Sequence, residues 1–182
     1  MKSITLIFLL ISISSFTQTY SELIPDKDVI DFITWRLNKD TGETKQYVSE
    51  KIMLITRNNF VLDSSATDSR SNTYFLFKKE NHLDSIFSAD DISFFTSQAE
   101  KTKSKVWTPE AENFQLETPV SFHPDHTTCS YSIPYYPVDR KKVIIIEAFY
   151  CGIVCGGGAY YIYGNRSSNG WMLLKKVNEW VE

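Results

Sequence analysis

The segment Tyr150-Cys151-Gly152-Ile153-Val154-Cys155-Gly156-Gly157-Gly158 restricts the fold of this chain more than any other stretch. Before it runs Val143-Ile144-Ile145-Ile146-Glu147-Ala148-Phe149-Tyr150, and after it Ala159-Tyr160-Tyr161-Ile162-Tyr163. Both flanks are rich in β-branched and aromatic side chains and read as strands. A chain that reverses between two such runs needs backbone freedom, which glycine supplies, and a local tie, which the paired cysteines supply. Cys151 and Cys155 are therefore the expected disulfide, since three intervening residues bring their Cα atoms face to face across a hairpin. Closing so short a loop stabilises by only about 2 kcal/mol on the chain-entropy estimate. The bridge is expected to fix a bend rather than to secure the whole fold, and the segment specifies a shape rather than a reaction.

Where two cysteines can stay oxidised depends on compartment. Met1-Lys2, the apolar run from Ile4 to Ile13, and Ser15-Phe16-Thr17 have the three-part form of a secretory signal, with cleavage expected before Gln18. The apolar run is shorter than the roughly 20 residues of a membrane span; an uncleaved anchor is the alternative. Residues 1–17 are thus read as a signal peptide and 18–182 as one domain of about 165 residues, secreted or periplasmic, with no span after signal removal. Loss of Lys2 moves the net charge from -3 to -4, and no basic cluster remains to attract nucleic acid or an anionic membrane surface. Cys129 is left over from the expected bridge, either buried or exposed as a thiol.

Periodicity orders the rest. Val29, Ile30, Phe32, Ile33 and Leu37 predict a helix over 28–37, announced by Pro25-Asp26. Residues 51–62 read as one or two strands burying Ile52, Leu54 and Ile55; 63–73 reads as a loop, and 73–77 as a short strand. Ser88 with Asp91 resembles a capping box, and Phe87 with Ile92 a hydrophobic staple, so a second helix is expected over 89–101, burying Ile92, Phe95 and Ala99. From Phe122 onward the chain reads as an antiparallel meander. Within it, 130–136 sits at an edge or carries a bulge because of Pro134, and 171–177 is the closing strand.

The pattern Tyr150-Cys151-Gly152-x-x-Cys155-Gly156, a strand, a Gly/Asn loop, Trp171 among apolar and Lys residues, and a final Trp180 resembles a family of small exported bacterial proteins of unknown function. Ser132-Ile133-Pro134 and the helix carrying Phe94, Phe95 and Gln98 are similar in style. The resemblance covers about the last third of the chain. It implies a compact α+β domain and carries over no functional residue.

Reactive chemistry is thinly represented. A nucleophilic Cys151 or Cys155 with a histidine base would oxidise beside its neighbour, and a redox pair normally has two intervening residues at a helix start. Gly156 to Gly158 lead into a strand and lack a P-loop lysine, so loop flexibility or a bulge explains them better than phosphate binding. His123, His126 and Cys129 carry metal-competent side chains at close spacing, a candidate zinc or copper site without an evident fourth ligand. Alternation sets Tyr161 and Tyr163 on one sheet face and Tyr160 and Ile162 on the other; with Tyr150 they are candidates for a sugar or peptide groove.

The sequence therefore predicts an α+β domain, an antiparallel meander of about five or six strands with two helices packed on one face. The expected function is that of an exported non-enzymatic binding or interaction module at the bacterial cell envelope, its partner a protein, peptide or carbohydrate and with no cofactor. The alternative is a small metal-dependent hydrolase using zinc at the 123–129 segment.

Overall fold

Helix α1 (Asp26–Lys39) begins where the carboxylate of Asp26 accepts the amides of Thr19 (2.6 Å) and Tyr20 (3.0 Å), folding the preceding residues back onto its first turn. Asp26 and Asp28 lie at its positive end and Arg36 and Lys39 at its negative end, matching the helix dipole. The computed structural model describes residues 19–39, 47–60, 76–77, 81–107, 115–117, 127–151, 155–166 and 170–181. The expected signal peptide, the 63–73 loop, His123 and His126 lie outside the described residues. Among the described residues no helix is long and apolar enough to cross a membrane.

Helix α2 (Ala89–Glu100) starts at the predicted capping box. Ser88 Oγ accepts from the Asp91 amide (3.2 Å), and the Asp91 carboxylate accepts from the Ser88 amide (2.9 Å). Burial pushes the Asp91 carboxyl up, but the amides of Ser88 and Val138 outweigh it and hold the group below its ordinary range. Ile92 and Phe95 are buried as expected. Ala99 packs partly buried against the core, and Gln98 is buried beside it, its amide donating to the Tyr136 carbonyl (2.5 Å) and accepting from the Tyr136 amide (3.0 Å).

Six strands form one sheet in the order β2-β1-β3-β4-β5-β6: β1 (Tyr47–Ser49), β2 (Gln115–Glu117), β3 (Thr128–Tyr131), β4 (Lys142–Tyr150), β5 (Gly156–Arg166) and β6 (Gly170–Val181). Strands β3 to β6 are the expected antiparallel meander. The whole sheet is mixed rather than antiparallel, since β1 runs parallel to both β2 and β3. Parallel neighbours need a long crossover, and the connection from β1 to β2 is long enough to include α2. Residues 51–60 are not a strand pair. Lys51 and Met53 make single bridges, and Arg57–Phe60 winds into a 3-10 turn. Ile52 and Ile55 are buried there, but Leu54 is 48 % exposed. Leu76 and Phe77 form a turn; the rest of the expected 73–77 strand lies outside the described residues.

The helices lie on opposite faces of the sheet, not on one. The unbroken β4–β5 register sets Val143, Ile145, Glu147, Tyr161 and Tyr163 on one face and Ile144, Ile146, Tyr160 and Ile162 on the other. Helix α1 covers the first face: Phe32 meets Tyr163 edge-on at 5.6 Å, and Arg36 pairs with Glu147. The second face is covered by the 3-10 turn and α2. Asn59 donates to the Tyr160 hydroxyl (2.8 Å), and Phe60 stacks on Phe95 at 5.5 Å and packs against Tyr135. Consecutive residues Val143 to Ala148 are accordingly all buried, the pattern of a strand covered on both sides.

The Cys151–Cys155 disulfide is formed, with Cα atoms 5.0 Å apart and the Cys151 amide donating to the Cys155 carbonyl. The three glycines belong to β5 itself. A Cβ at Gly157 would sit 3.1 Å from the Phe149 ring, and one at Gly158 would meet the Trp180 ring and, at 2.7 Å, the Glu147 carbonyl oxygen. Aromatic rings from both neighbouring strands occupy the space that side chains would need. Strand β6 carries two register shifts, at Gly158/Tyr160 and Ile162/Tyr163, and Asn178 takes a positive φ of 51° at the first. Such bulges twist an outer strand away from further pairing.

Candidate functional site

A groove of about 400 Å³ opens at one end of the sheet, between the first turns of α1, the turn before β4, the last residues of β5 and the first of β6. Its aromatic lining is Phe32, Tyr136 and Trp171; Asp28, Asp31, Arg140 and Asn165 supply the polar lining. The volume lies within the range of small-molecule sites.

Each element places its side chain for a local reason. Asp28 and Asp31 are three residues apart and so share one side of α1, with Phe32 turned towards the sheet. Arg140 occupies a left-handed turn (φ 54°) between β3 and β4, and its Nη1 donates to Asp28 Oδ2 at 2.9 Å. The Tyr136 hydroxyl donates to the Asp28 carbonyl (2.9 Å). Burial, then the nearby Asp28 and Asp31, raises the Tyr136 hydroxyl well above the usual phenol range, so it remains a neutral donor. Asn165 and Trp171 are direct cross-strand partners, and the Asn165 amide donates to the Lys141 carbonyl (2.8 Å), tying the hairpin tip to the turn that carries Arg140. Trp171 meets Phe32 edge-on at 5.3 Å and Tyr136 at 6.1 Å, leaving the indole half-buried.

Charges around the groove come in pairs. Asp28 faces Arg140, and Asp31 faces Lys27 four residues earlier. Both pairs are substantially exposed, so each contributes little stability, but together they leave the rim close to neutral while keeping donors and acceptors in fixed positions.

Further along α1 from the groove, a buried ionic network holds the helix to the sheet. Arg36 Nε and Nη2 donate to Glu147 Oε1 and Oε2 at 2.8 and 2.7 Å, a bidentate fork, and the Tyr163 hydroxyl donates to Glu147 Oε1 at 2.8 Å. Glu147 is only 7 % exposed. Burial and then the Glu147 charge push the Tyr163 hydroxyl far up. This network lies one to two helical turns beyond Asp28 and Phe32 and sets their height above β5.

The tyrosines singled out in the sequence do not converge. Tyr161 and Tyr163 share a face and stack at 6.3 Å, as alternation requires, but Tyr163 is buried beneath α1 and Lys176 sits over the Tyr161 ring. Tyr150 falls at the far end of β4, with alternation directing it to the opposite face. Cys129 lies in β3 opposite Phe149 and outside the disulfide. His123 and His126 lie outside the described residues, and among the described residues no three metal-competent side chains come together.

The groove and the Arg36–Glu147 pair carried weaker signals. Arg36 falls on the apolar stripe of α1, seven residues after Val29, and Glu147 interrupts the apolar run 143–150. Two opposite charges at positions that should be buried are a readable pairing signal. Asp28, Arg140 and Asn165 read individually as surface polar residues. No known family, curated protein or solved structure matches the chain.

Proposed function

We propose that the chain, freed of residues 1–17, is an exported non-enzymatic binding module of the bacterial cell envelope, akin to small exported proteins with the Tyr-Cys-Gly-x-x-Cys-Gly turn, and that the groove beside α1 is its ligand seat. One observation carries this reading: aromatic rings line a concave site whose polar groups are fixed by partners from three separate elements. Binding, not catalysis, fits these groups. Both carboxylates face cations, whereas a general acid needs an apolar setting, and the Tyr136 hydroxyl is already donating to a carbonyl. The disulfide suits an oxidising compartment.

Two measurements test the proposal. Mass spectrometry of the protein secreted by a bacterial host should give a chain beginning at Gln18 with the Cys151–Cys155 bridge intact. Amide NMR of that product, titrated with a casein tryptic digest and with a set of neutral glycans, should shift Asp28, Arg140, Asn165 and Trp171 without consuming the added compound. Shifts confined to other surfaces, or turnover of a probe, would overturn the reading.

A further inference from the structure

Resting on the groove being the ligand seat, we infer that its ligand is a neutral polyhydroxylated ring, a pyranose unit of a glycan, with Trp171 as the stacking platform and the Asp28–Arg140 pair as the hydroxyl clamp.

Three features of the groove lead to this class. The first is charge. Asp28 and Asp31 are already faced by Arg140 and Lys27, so an anionic or cationic ligand would have to displace a partner to gain a full counter-charge. A hydroxyl group displaces nothing. A carboxylate holding one guanidinium N–H keeps further lone pairs, and the guanidinium keeps further N–H groups, so the half-exposed pair still offers an acceptor beside a donor. Adjacent ring hydroxyls, each both donor and acceptor, match that spacing, and hydrogen bonds to charged groups are the stronger kind.

The second feature is shape. The Trp171 indole is half-buried, held by Phe32 and Tyr136. A pyranose presents C–H bonds on its faces and hydroxyls round its edge, so an aromatic plane with polar groups at its margin suits both at once. An extended peptide would instead draw on unpaired backbone groups at a sheet edge, whereas the polar groups lining this groove are side chains of Asp28, Asp31, Arg140 and Asn165, the last on the inner strand β5. The third is preorganisation. Asp28 is fixed by Arg140 from the β3–β4 turn, and α1 is fixed by the Arg36–Glu147 fork, so little ordering remains to be done on binding.

The test uses the mature chain, with methyl β-D-glucopyranoside and N,N′-diacetylchitobiose as neutral probes, glucuronate and glucosamine as charged counterparts, and a casein tryptic digest as the peptide probe. Calorimetry and amide NMR should find a neutral probe bound with shifts at Asp28, Asn165 and Trp171, and both charged sugars weaker. Asp28→Ala and Trp171→Ala should each weaken binding by about tenfold or more, as loss of one charge-assisted contact or of the stacking face implies. Trp171 also packs on Phe32, so Asn165→Ala, at an exposed position, provides the variant that leaves the fold intact and should also weaken binding. Tighter binding of a charged sugar, or groove shifts caused by the peptide digest alone, would overturn the saccharide assignment while leaving the groove as ligand seat. If no probe moves the groove resonances, both readings fall.

Discussion

Removing one member of the Arg36–Glu147–Tyr163 network should cost far more than removing all three. Glu147 is 7 % exposed and accepts three hydrogen bonds, two from Arg36 and one from Tyr163. Arg36→Met leaves a buried carboxylate whose guanidinium partner is gone; Glu147→Leu leaves a buried guanidinium in the same position. Breaking a buried pair from one side costs about 3–5 kcal/mol, because the surviving charge stays desolvated without its opposite charge. Against a total stability of about 5–15 kcal/mol for a domain, either loss is large. The triple variant Arg36→Met/Glu147→Leu/Tyr163→Phe removes both charges and the Tyr163 hydroxyl together, and apolar replacement of a buried pair is commonly neutral or stabilising. Its stability should lie within about 1–2 kcal/mol of the parent, far from the sum of the single changes. Urea unfolding with the disulfide intact, followed by tryptophan fluorescence, measures all four proteins, and equal slopes would show that the unfolding reaction is unchanged. If each single variant loses under about 1 kcal/mol and the losses add, the pair is solvated like a surface ion pair. The account of how α1 is anchored would then be wrong.

Three further outcomes follow from the same packing. Tyr131, Tyr135, Tyr136 and Tyr163 have hydroxyls raised above the ordinary phenol range by burial, Tyr135 to about 12. Their contribution is intact below about pH 10, where an unfolded tyrosine begins to ionise, and is lost as pH rises above it, each adding up to about 1.4 kcal/mol per pH unit; the part of the tyrosinate absorbance that comes from these four should therefore appear together with loss of near-ultraviolet circular dichroism, and ionisation of these residues near pH 10 in a still-folded protein would contradict it. Gly158→Ala places a methyl 2.7 Å from the Glu147 carbonyl oxygen and against the Trp180 ring, so it should destabilise by about 1–3 kcal/mol, whereas Gly156→Ala, whose nearest contact is the Tyr150 ring at 3.2 Å, should cost visibly less; equal thermal midpoints would refute the distinction. Replacing Cys151 and Cys155 with serine should lower stability by only about 2 kcal/mol, in line with the short loop, and leave the far-ultraviolet spectrum unchanged; failure to fold would assign the bridge a global role.

What could be read from the sequence was local. The capping box at Ser88 and Asp91 depends on residues three apart, and the α1 stripe on residues within nine positions, Val29 to Leu37, so each left a complete signature. The β4–β5 hairpin and its disulfide were legible for the same reason. Burial on two faces was written in the sequence but read too weakly: a wholly antiparallel sheet with one wet face alternates, and Val143-Ile144-Ile145-Ile146 does not. That unbroken run already required a layer on each side, hence helices on opposite faces. The parallel β1 pairings left no mark at all, because β1 and β2 are three residues each and lie 68 positions apart from Tyr47 to Gln115.

The groove was illegible for a deeper reason. Alternation along β5 correctly grouped Tyr161 with Tyr163, yet a shared face says nothing about whether a helix covers it, and α1 does cover Tyr163. A groove needs a place where cover stops. Here α1 begins at Asp26, and its start, the β3–β4 turn and the adjoining ends of β5 and β6 meet where Trp171 is only partly overlaid. Asp28 and Arg140 are separated by 112 residues, and Arg36 and Glu147 by 111; both pairs join α1 to the part of the chain that carries β4. The buried pair fixes the helix to the sheet, and the exposed pair joins its first turn to the β3–β4 turn. A sequence displays the members of such pairs, but only the three-layer packing decides which of them touch.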